Sequence, residues 1–465
     1  MSYLNMCNIV LEVIMRYFKQ KINNIKKNPY LVFIFGFALI IFIGTILLTF
    51  PVASRDGNSV GFVNAFFTAT SATCVTGLVV VNTATHWSIF GKAVIAVLIQ
   101  IGGLGVMTMT AMISFFIGKK ISLKTRVLIM EERSVDELQG VVRLTKNILL
   151  YTFLMELFGA LLLSLVFIKD YGVLKGIGFS IFHAISSFCN AGFDLIGNSM
   201  INYVDNPIIT LAVCGLVVVG GIGYFVLWDI HVSKKFRMLT LHSKLVLIIT
   251  GLLLFIGTGL FFLLEYNNPG TIGALDLPGK VNASIFQAVN PRTAGFNSIP
   301  LENLRMATAV ITVILMFIGG SPVSTAGGIK TTTIGVLIIS FYNLFKGKRD
   351  FEVFERRILP ETTIRAAAIL LISLFLIMIV STILSVTEET SGFDFLDILY
   401  ETVSAFGTVG LSRGITSALS TAGKLVVSML MFVGRVGPIT VAYALLRQNK
   451  FIGNYTYPEG KVIIG

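Results

Sequence analysis

Thr73-Cys74-Val75-Thr76-Gly77-Leu78 closes an apolar segment, Val60 to Ala72, that is too short to cross a bilayer. The same kind of loop recurs as Phe188-Cys189-Asn190-Ala191-Gly192-Phe193, Pro291-Arg292-Thr293-Ala294-Gly295-Phe296 and Phe406-Gly407-Thr408-Val409-Gly410-Leu411. The glycines are spaced by about 100 to 115 residues, a period that marks repeated units rather than a chance dipeptide. One such unit has many readings. Four in one chain indicate a four-sided pore whose narrowest part is lined by loop backbone.

Composition places the loops in a membrane. Of the 465 residues, 55% are hydrophobic and 13% charged, whereas a soluble domain carries about 25% charged residues. Mean hydropathy is +0.85. Apolar runs of ~20 residues, enough to cross ~30 Å of hydrocarbon, are frequent; Tyr30 to Phe50 and Ala366 to Val386 are two of them. The chain therefore reads as an all-α polytopic membrane protein bound into the lipid bilayer.

Net charge is +12, and its placement is more informative than its size. The bases concentrate in Arg16 to Lys27, Lys119 to Lys146, Lys234 to Lys244, Lys346 to Arg365 and the tail from Arg447, whereas Glu388, Glu389, Asp394 and Asp397 lie between such segments. Positive loops mark the cytoplasmic side of a cell membrane, so both termini are expected there. No RNA- or DNA-binding pattern accompanies the basic runs, and nucleic acid is excluded as a partner. Cys7, Cys74, Cys189 and Cys214 lack metal-ligand spacing and do not suggest a disulfide framework. Met1 to Val13 lacks the preceding bases and cleavage site of a signal peptide and is expected on the cytoplasmic membrane face or poorly ordered.

Each repeat has one grammar: spanning helix, short helix, glycine loop, spanning helix. The expected segments are Tyr30–Phe50, Val60–Ala72 and Phe90–Phe116; Ile148–Ile168, Gly176–Ser187 and Pro207–Asp229; Leu245–Leu264, Ala283–Val289 and Met306–Phe341; and Ile364–Val386, Phe393–Ala405 and Leu425–Leu446. The division is a cytoplasmic segment 1–29, a first pore repeat 30–118, a linker and second repeat 119–231, a third repeat 232–345, a linker and fourth repeat 346–447, and a tail 448–465. It amounts to about eight transmembrane helices plus four re-entrant pore helices around one pseudo-fourfold pore. An even number of crossings per repeat returns both ends of each to one side, as the basic segments require. Three full crossings per repeat would scatter those charges onto both sides.

A second signature follows each loop within the next spanning segment: Gly102-Gly103-Leu104-Gly105, Gly220-Gly221-Ile222-Gly223, Gly319-Gly320-Ser321-Pro322 and Gly434-Arg435-Val436-Gly437-Pro438. Small residues here let backbones approach closely or permit bending. They lie inside spanning helices, not between a strand and a helix, which removes the dinucleotide-binding reading. Gly327-Gly328-Ile329-Lys330-Thr331 likewise lacks phosphate-loop spacing, so no nucleotide is expected on this chain.

The loop chemistry points to a cation. Irregular backbone at membrane depth is tolerated where it is buried in protein or lines a watery cavity. Four re-entrant stretches make stacked rings of carbonyl oxygens that can replace a cation's hydration shell. Glycine permits the conformation that turns consecutive carbonyls one way, and the short helices aim their partially negative C-terminal ends at the pore. No Asp or Glu ring occurs at the loop glycines, which argues against a calcium-type filter. Thr73, Thr76, Thr293 and Thr408 either add hydroxyl oxygens or brace the loops. Arg292 is expected to point behind the filter, Cys74 and Cys189 to pack, and His183 to be a satisfied structural histidine.

Two bases sit at depth, where ionisable residues are costly and commonly functional. Arg435 interrupts the fourth glycine site. Lys330 ends the run from Gly319 to Gly328, whose small residues and Pro322 cannot form a normal helix. The third inner helix is therefore expected to be broken, with a mobile loop beneath the filter acting as a gate; a static kink with Lys330 snorkelling is the other reading.

These residues resemble the Trk/Ktr/HKT potassium transporter superfamily, most closely the KtrB-type membrane subunit of bacterial Ktr uptake systems, from about Tyr30 to Gly465. The resemblance rests on the four loops, on Ser324-Thr325-Ala326-Gly327-Gly328-Ile329-Lys330 and on Gly434-Arg435-Val436-Gly437-Pro438. One apolar stretch precedes the first filter unit, as in KtrB, whereas the TrkH type carries an extra helix pair. The resemblance implies a K+ filter built by Thr73, Val75, Thr76 and Gly77, by Asn190, Ala191 and Gly192, by Thr293, Ala294 and Gly295, and by Thr408, Val409 and Gly410. It implies a gating loop with Gly319, Gly320, Gly327, Gly328 and Lys330, and Arg435 as the pore arginine. Gly77, where some plant relatives carry Ser and favour sodium, implies potassium. A homodimer on a cytoplasmic KtrA-type nucleotide-binding ring follows from the same resemblance; Na+ dependence stays open. A coupled secondary transporter with alternating access is the main alternative, although four parallel repeats do not fit inverted-repeat architecture. A membrane enzyme finds no supporting constellation.

Overall fold

A computed structural model describes residues 29–105, 108, 109, 112, 141–348, 350–438, 440 and 441. The N-terminal segment to residue 28, the basic stretch 113–140 and the tail from residue 442 lie outside the described residues.

Four successive groups of helices follow one order. The first group has α1 (Pro29–Thr49), α2 (Phe62–Thr73) and α3 (Ile89–Leu104). The second has α4 (Val141–Tyr171), α5 (Val173–Phe188), α6 (Pro207–Ile222) and α7 (Tyr224–Ser233). In the third come α8 (Leu241–Glu265), α9 (Leu277–Val289), α10 (Met306–Phe317) and α11 (Thr331–Phe345). A two-stranded antiparallel hairpin, β1 (Phe351–Val353) with β2 (Arg356–Ile358), precedes the fourth group, with Phe351 opposite Ile358. That last group is α12 (Pro360–Thr387), α13 (Phe395–Gly407) and α14 (Thr421–Val436).

The lead helices α1, α4, α8 and α12 contain the four stretches long and apolar enough to span a membrane. Their outward faces are apolar: Phe255 and Leu263 of α8 are 81% and 72% exposed. In water such a surface would drive aggregation; in hydrocarbon it is the solvated face. The second helices are shorter: α2 has 12 residues, about 18 Å at 1.5 Å per residue, well under ~30 Å of hydrocarbon. Helix α2 buries its last residues, Ala65 and Phe67 to Thr73, many of them hydroxyl-bearing or small. The interior is thus polar backbone and small side chains, with the aromatic rings of Phe67, Phe188, Phe286 and Phe406 filling the gaps.

The groups close into a cycle. Helix α3 packs on α5, α6 on α9, α10 on α13, and α14 on α2. Each third helix therefore contacts the short helix of the following group, and the fourth returns to the first.

Three expected helices are interrupted. Helix α3 is interrupted after Leu104 and α14 after Val436, and the remainder of the expected segments to Phe116 and Leu446 lies largely outside the described residues. The Pro207–Asp229 segment is bent by 90° between α6 and α7. The causes are Gly105, Gly223 and Gly437 at φ of +84°, +102° and +93°, a left-handed conformation that terminates a right-handed helix. The break is therefore shared by all four groups and is merely longest in the third, a correction to the expectation that it belongs to the third alone. Helix α9 also begins earlier than expected, because Asp276 caps it, Oδ1 accepting the Gly279 N–H at 2.9 Å, and Pro278 favours the first turn.

Candidate functional site

The four glycine loops adopt one backbone pattern. Two residues, one position apart, take positive φ: Val75 and Gly77 (+57°, +94°), Asn190 and Gly192 (+61°, +68°), Thr293 and Gly295 (+73°, +78°), Thr408 and Gly410 (+49°, +94°). Alternating left-handed residues with Thr76, Ala191, Ala294 and Val409 turns successive carbonyls to one side. For β-branched Val75, Thr293 and Thr408 this costs about 1–3 kcal/mol each, strain that persists where the surroundings impose it.

Those surroundings are the ends of the short helices. The N–H of Thr76 donates to Ser71 O (2.8 Å), Ala191 to Ser186 O (2.7 Å), Ala294 to Asn290 O (2.9 Å) and Val409 to Ser404 O (2.8 Å). The N–H groups of Gly77 and Gly410 donate to the hydroxyls of Ser71 and Ser404, both at 3.1 Å. Donors thus point back into the helices. Among the described residues no hydrogen bond reaches the carbonyls of the loop glycine or of the two residues before it in any loop. Buried carbonyls without donors are costly unless they face water or a cation.

The loops form a ring. A Cβ added to Gly77 would overlap Ala191 O; at Gly192 it would lie 2.8 Å from Ala294 O, at Gly295 2.5 Å from Val409 O, and at Gly410 it would overlap Thr76 O. The first loop touches the second, the second the third, the third the fourth, and the fourth the first. Glycine is required by both conformation and contact.

The second glycine signature acts one layer out. A Cβ on Gly102 would overlap Thr73 O, on Gly220 Phe188 O, and on Gly434 Phe406 O. Each carbonyl lies four residues before its loop glycine, so the third helices of these three groups buttress the base of the loops backbone to backbone. Thr73 accordingly sits at that base; its hydroxyl, like those of Thr76 and Thr408, has no partner among the described residues. The Thr293 hydroxyl lies 3.2 Å from the Asn190 amide, linking the second and third loops.

Beneath the ring, residues 318–330 of the third group meet the second and fourth loops. Gly319 N–H donates to Ile329 O (2.9 Å) and Thr331 N–H to Gly320 O (3.0 Å), closing the neck. Ser321 and Thr325 N–H groups donate to Gly221 O and Gly220 O at 2.9 and 3.2 Å, and Tyr224 N–H to Val323 O at 2.9 Å. Gly327 abuts the Thr408 side chain and Gly328 lies against Gly407, so the segment touches the underside of the fourth loop. The Thr325 hydroxyl contacts Phe188 O (3.2 Å) and Asn190 Oδ1 (3.3 Å) under the second loop. Arg435 reaches across to donate to Thr325 O and Gly102 O. Lys330 donates to Ala326 O at 2.7 Å. All six expected gate residues are thereby gathered in one layer.

Of the other residues, buried Arg292 turns away from the ring, towards Thr250 of α8 at 3.4 Å. His183 is satisfied by Phe179 O and Leu195 N–H. Cys74 and Cys189 are buried free thiols, and Cys189 fills the space left by Gly103. The serines were missed by the sequence reading, although Ser71, Ser186 and Ser404 all stand six residues before a loop glycine. Val289 occupies that place in the third loop, which hides the regularity.

A family model described as TrkH, cation transport protein, matches residues 6–453. The Ktr system potassium uptake protein B of Bacillus subtilis is 43% identical over 441 residues, covering 95% of this chain and 98% of that protein. The potassium/sodium uptake protein NtpJ of Enterococcus hirae is 43% identical over 434 residues, covering 92% and 96%. The crystal structure of the potassium transporter TrkH from Vibrio parahaemolyticus has the same fold, with a TM-score of 0.67 at 18% identity over 88% of this chain and 84% of that one.

Proposed function

As the chain belongs to the TrkH family of cation transport proteins, we propose that it translocates potassium ions across the cell membrane as the pore subunit of a Ktr-type uptake system. The observation that carries the reading at residue level is the closed cycle of four loops, each with its middle amide tied back to the short helix and with carbonyls that meet no donor among the described residues. Such a ring offers neutral oxygens at fixed spacing to a dehydrated monovalent cation. Thr76, Ala191, Ala294 and Val409, with the residues on either side of each, are assigned to the filter, with Thr73 at its base. Glycine in all four loops favours potassium over sodium; the relative named for both ions leaves sodium as the competitor to measure.

The segment 318–330 is assigned as the gate. It lies across the base of the loops and is held by Arg435 and by backbone bonds to Gly220, Gly221 and Tyr224. The guanidinium of Arg435 adds an electrostatic barrier to a cation. Opening then requires the segment to leave Thr408 and Thr325 to leave Phe188. A homodimer resting on a KtrA-type nucleotide-binding ring would supply that work, with both termini and the β1–β2 hairpin on the cytoplasmic side. The cyclic arrangement, in which every group contacts the next in the same sense, favours a gated pore over alternating access.

The test is ion flux into proteoliposomes holding the purified chain, comparing potassium and rubidium with sodium, ammonium and chloride. Potassium and rubidium flux exceeding sodium flux is expected. Chloride flux without potassium flux would overturn the proposal.

A further inference from the structure

One position on the short helices differs in kind between groups. Nine residues before the filter glycines stand Thr68, His183, Phe286 and Glu401. His183 is fully buried, and its Nε2 accepts the backbone N–H of Leu195 at 3.3 Å, three residues past Gly192. A backbone amide can only donate, so the imidazole proton sits on Nδ1, which donates to Phe179 O at 2.7 Å. Glu401 is equally buried. Its Oε1 accepts the Thr416 hydroxyl at 2.6 Å, six residues past Gly410, while Oε2 has no partner within hydrogen-bond geometry among the described residues. Thr68 instead donates to Asn64 O of its own helix at 2.9 Å, and Phe286 has no polar side-chain atom.

A buried carboxyl bonded through one oxygen is expensive for stability alone, and an apolar side chain would serve packing better. What His183 and Glu401 share is geometry. Each ties the chain leaving its loop back to the short helix behind it. The Arg413–Asp397 ion pair at 2.5 Å draws together the same two segments in the fourth group. The order of contacts around the ring puts the second and fourth loops on one diagonal.

We propose that Glu401 and His183 are positioning residues for ion selectivity, tethers that fix the outer halves of two opposed loops and so the spacing of the carbonyls between them. A cage that discriminates between two cations of equal charge must resist relaxing around the smaller one, and short tethers from a rigid helix supply that resistance. The inference rests on the assignment of the loops as a potassium filter.

The experiment measures the potassium-to-sodium flux ratio of the purified full chain in proteoliposomes. Glu401→Val and Thr416→Val should each lower the ratio about fivefold, the scale set by losing one buried hydrogen bond, and the double variant should fall no further. Glu401→Gln, whose amide oxygen can still accept from Thr416, and Thr416→Ser should keep most of the ratio. His183→Leu, acting in the opposite loop, should lower it independently and add to Glu401→Val. Ratios within twofold of the parent in both valine variants would overturn the inference, as would a Gln variant as impaired as the Val variant. If Glu401→Val does not assemble, the comparison of Thr416→Val with Thr416→Ser decides alone. Absence of potassium-selective flux in the unsubstituted chain would overturn the filter assignment itself, and the inference with it.

Discussion

Gly410 of the fourth loop lies against the carbonyl oxygen of Thr76 in the first, the contact that joins the two ends of the repeat array into a ring. It pairs residues far apart in the chain at a point where any side chain would overlap loop backbone.

The ring tolerates no Cβ. Gly77→Ser would meet Ala191 O and would place a side chain at φ +94°, a region costing about 1–2 kcal/mol for an L-residue before any clash. The potassium-to-sodium flux ratio should drop by about tenfold, the change corresponding to ~1.4 kcal/mol. Gly178→Ala, on an open helix face with nothing within 4 Å, should leave the ratio unaltered. Equal effects of the two would remove the contact argument.

Buttressing glycines act on assembly as well as flux. Gly434→Val would drive a side chain into Phe406 O, and overpacking of this kind costs about 1–3 kcal/mol. A lower melting temperature in detergent together with lost potassium flux is expected. Gly251→Ala, where no atom lies within 4 Å, serves as the comparison. A Gly434→Val protein with parental melting and flux would contradict the close approach.

Release of the gate should raise basal conduction. Arg435→Gln withdraws the guanidinium that holds Thr325 O and Gly102 O together and removes a positive charge from the path. Rubidium uptake without any partner protein should rise by about tenfold if anchoring of ~1.4 kcal/mol is lost. Shortening the segment between Gly320 and Gly328 should act in the same direction. Basal uptake unchanged in both would make the segment a static part of the fold.

Sidedness can be read by labelling. Lys348 and Glu302 are exposed, one beside the hairpin and the other between α9 and α10. In intact cells Glu302→Cys should react with a membrane-impermeant maleimide, while Lys348→Cys should react only after permeabilisation. The described native cysteines are buried and give little background. The reverse labelling pattern would invert the proposed orientation.

Much of the site was legible because its signals are local. A short apolar segment followed by a glycine, recurring four times, identifies the loops without any contact information. The chemistry of Gly319 to Gly328 likewise forbids a continuous helix on its own. Gly105, Gly223 and Gly437 were harder to read, because a glycine inside an apolar run is compatible with either a continuous helix or a stop. The serines behind the loops escaped for a related reason: a hydroxyl on a short helix reveals its partner only once the chain has turned back past it.

The sequence by itself determined the class of protein and the recurrence of four glycine loops with their residue types, since hydropathy, period and glycine placement are properties of short stretches. Tertiary structure decided which loop touches which, that all four inner helices break, and that Arg435 is engaged with backbone carbonyls of two other groups. Those outcomes depend on close approach between segments about a hundred residues or more apart. Such contacts are fixed by the shape left when side chains are absent, and a linear pattern does not encode what will occupy that space.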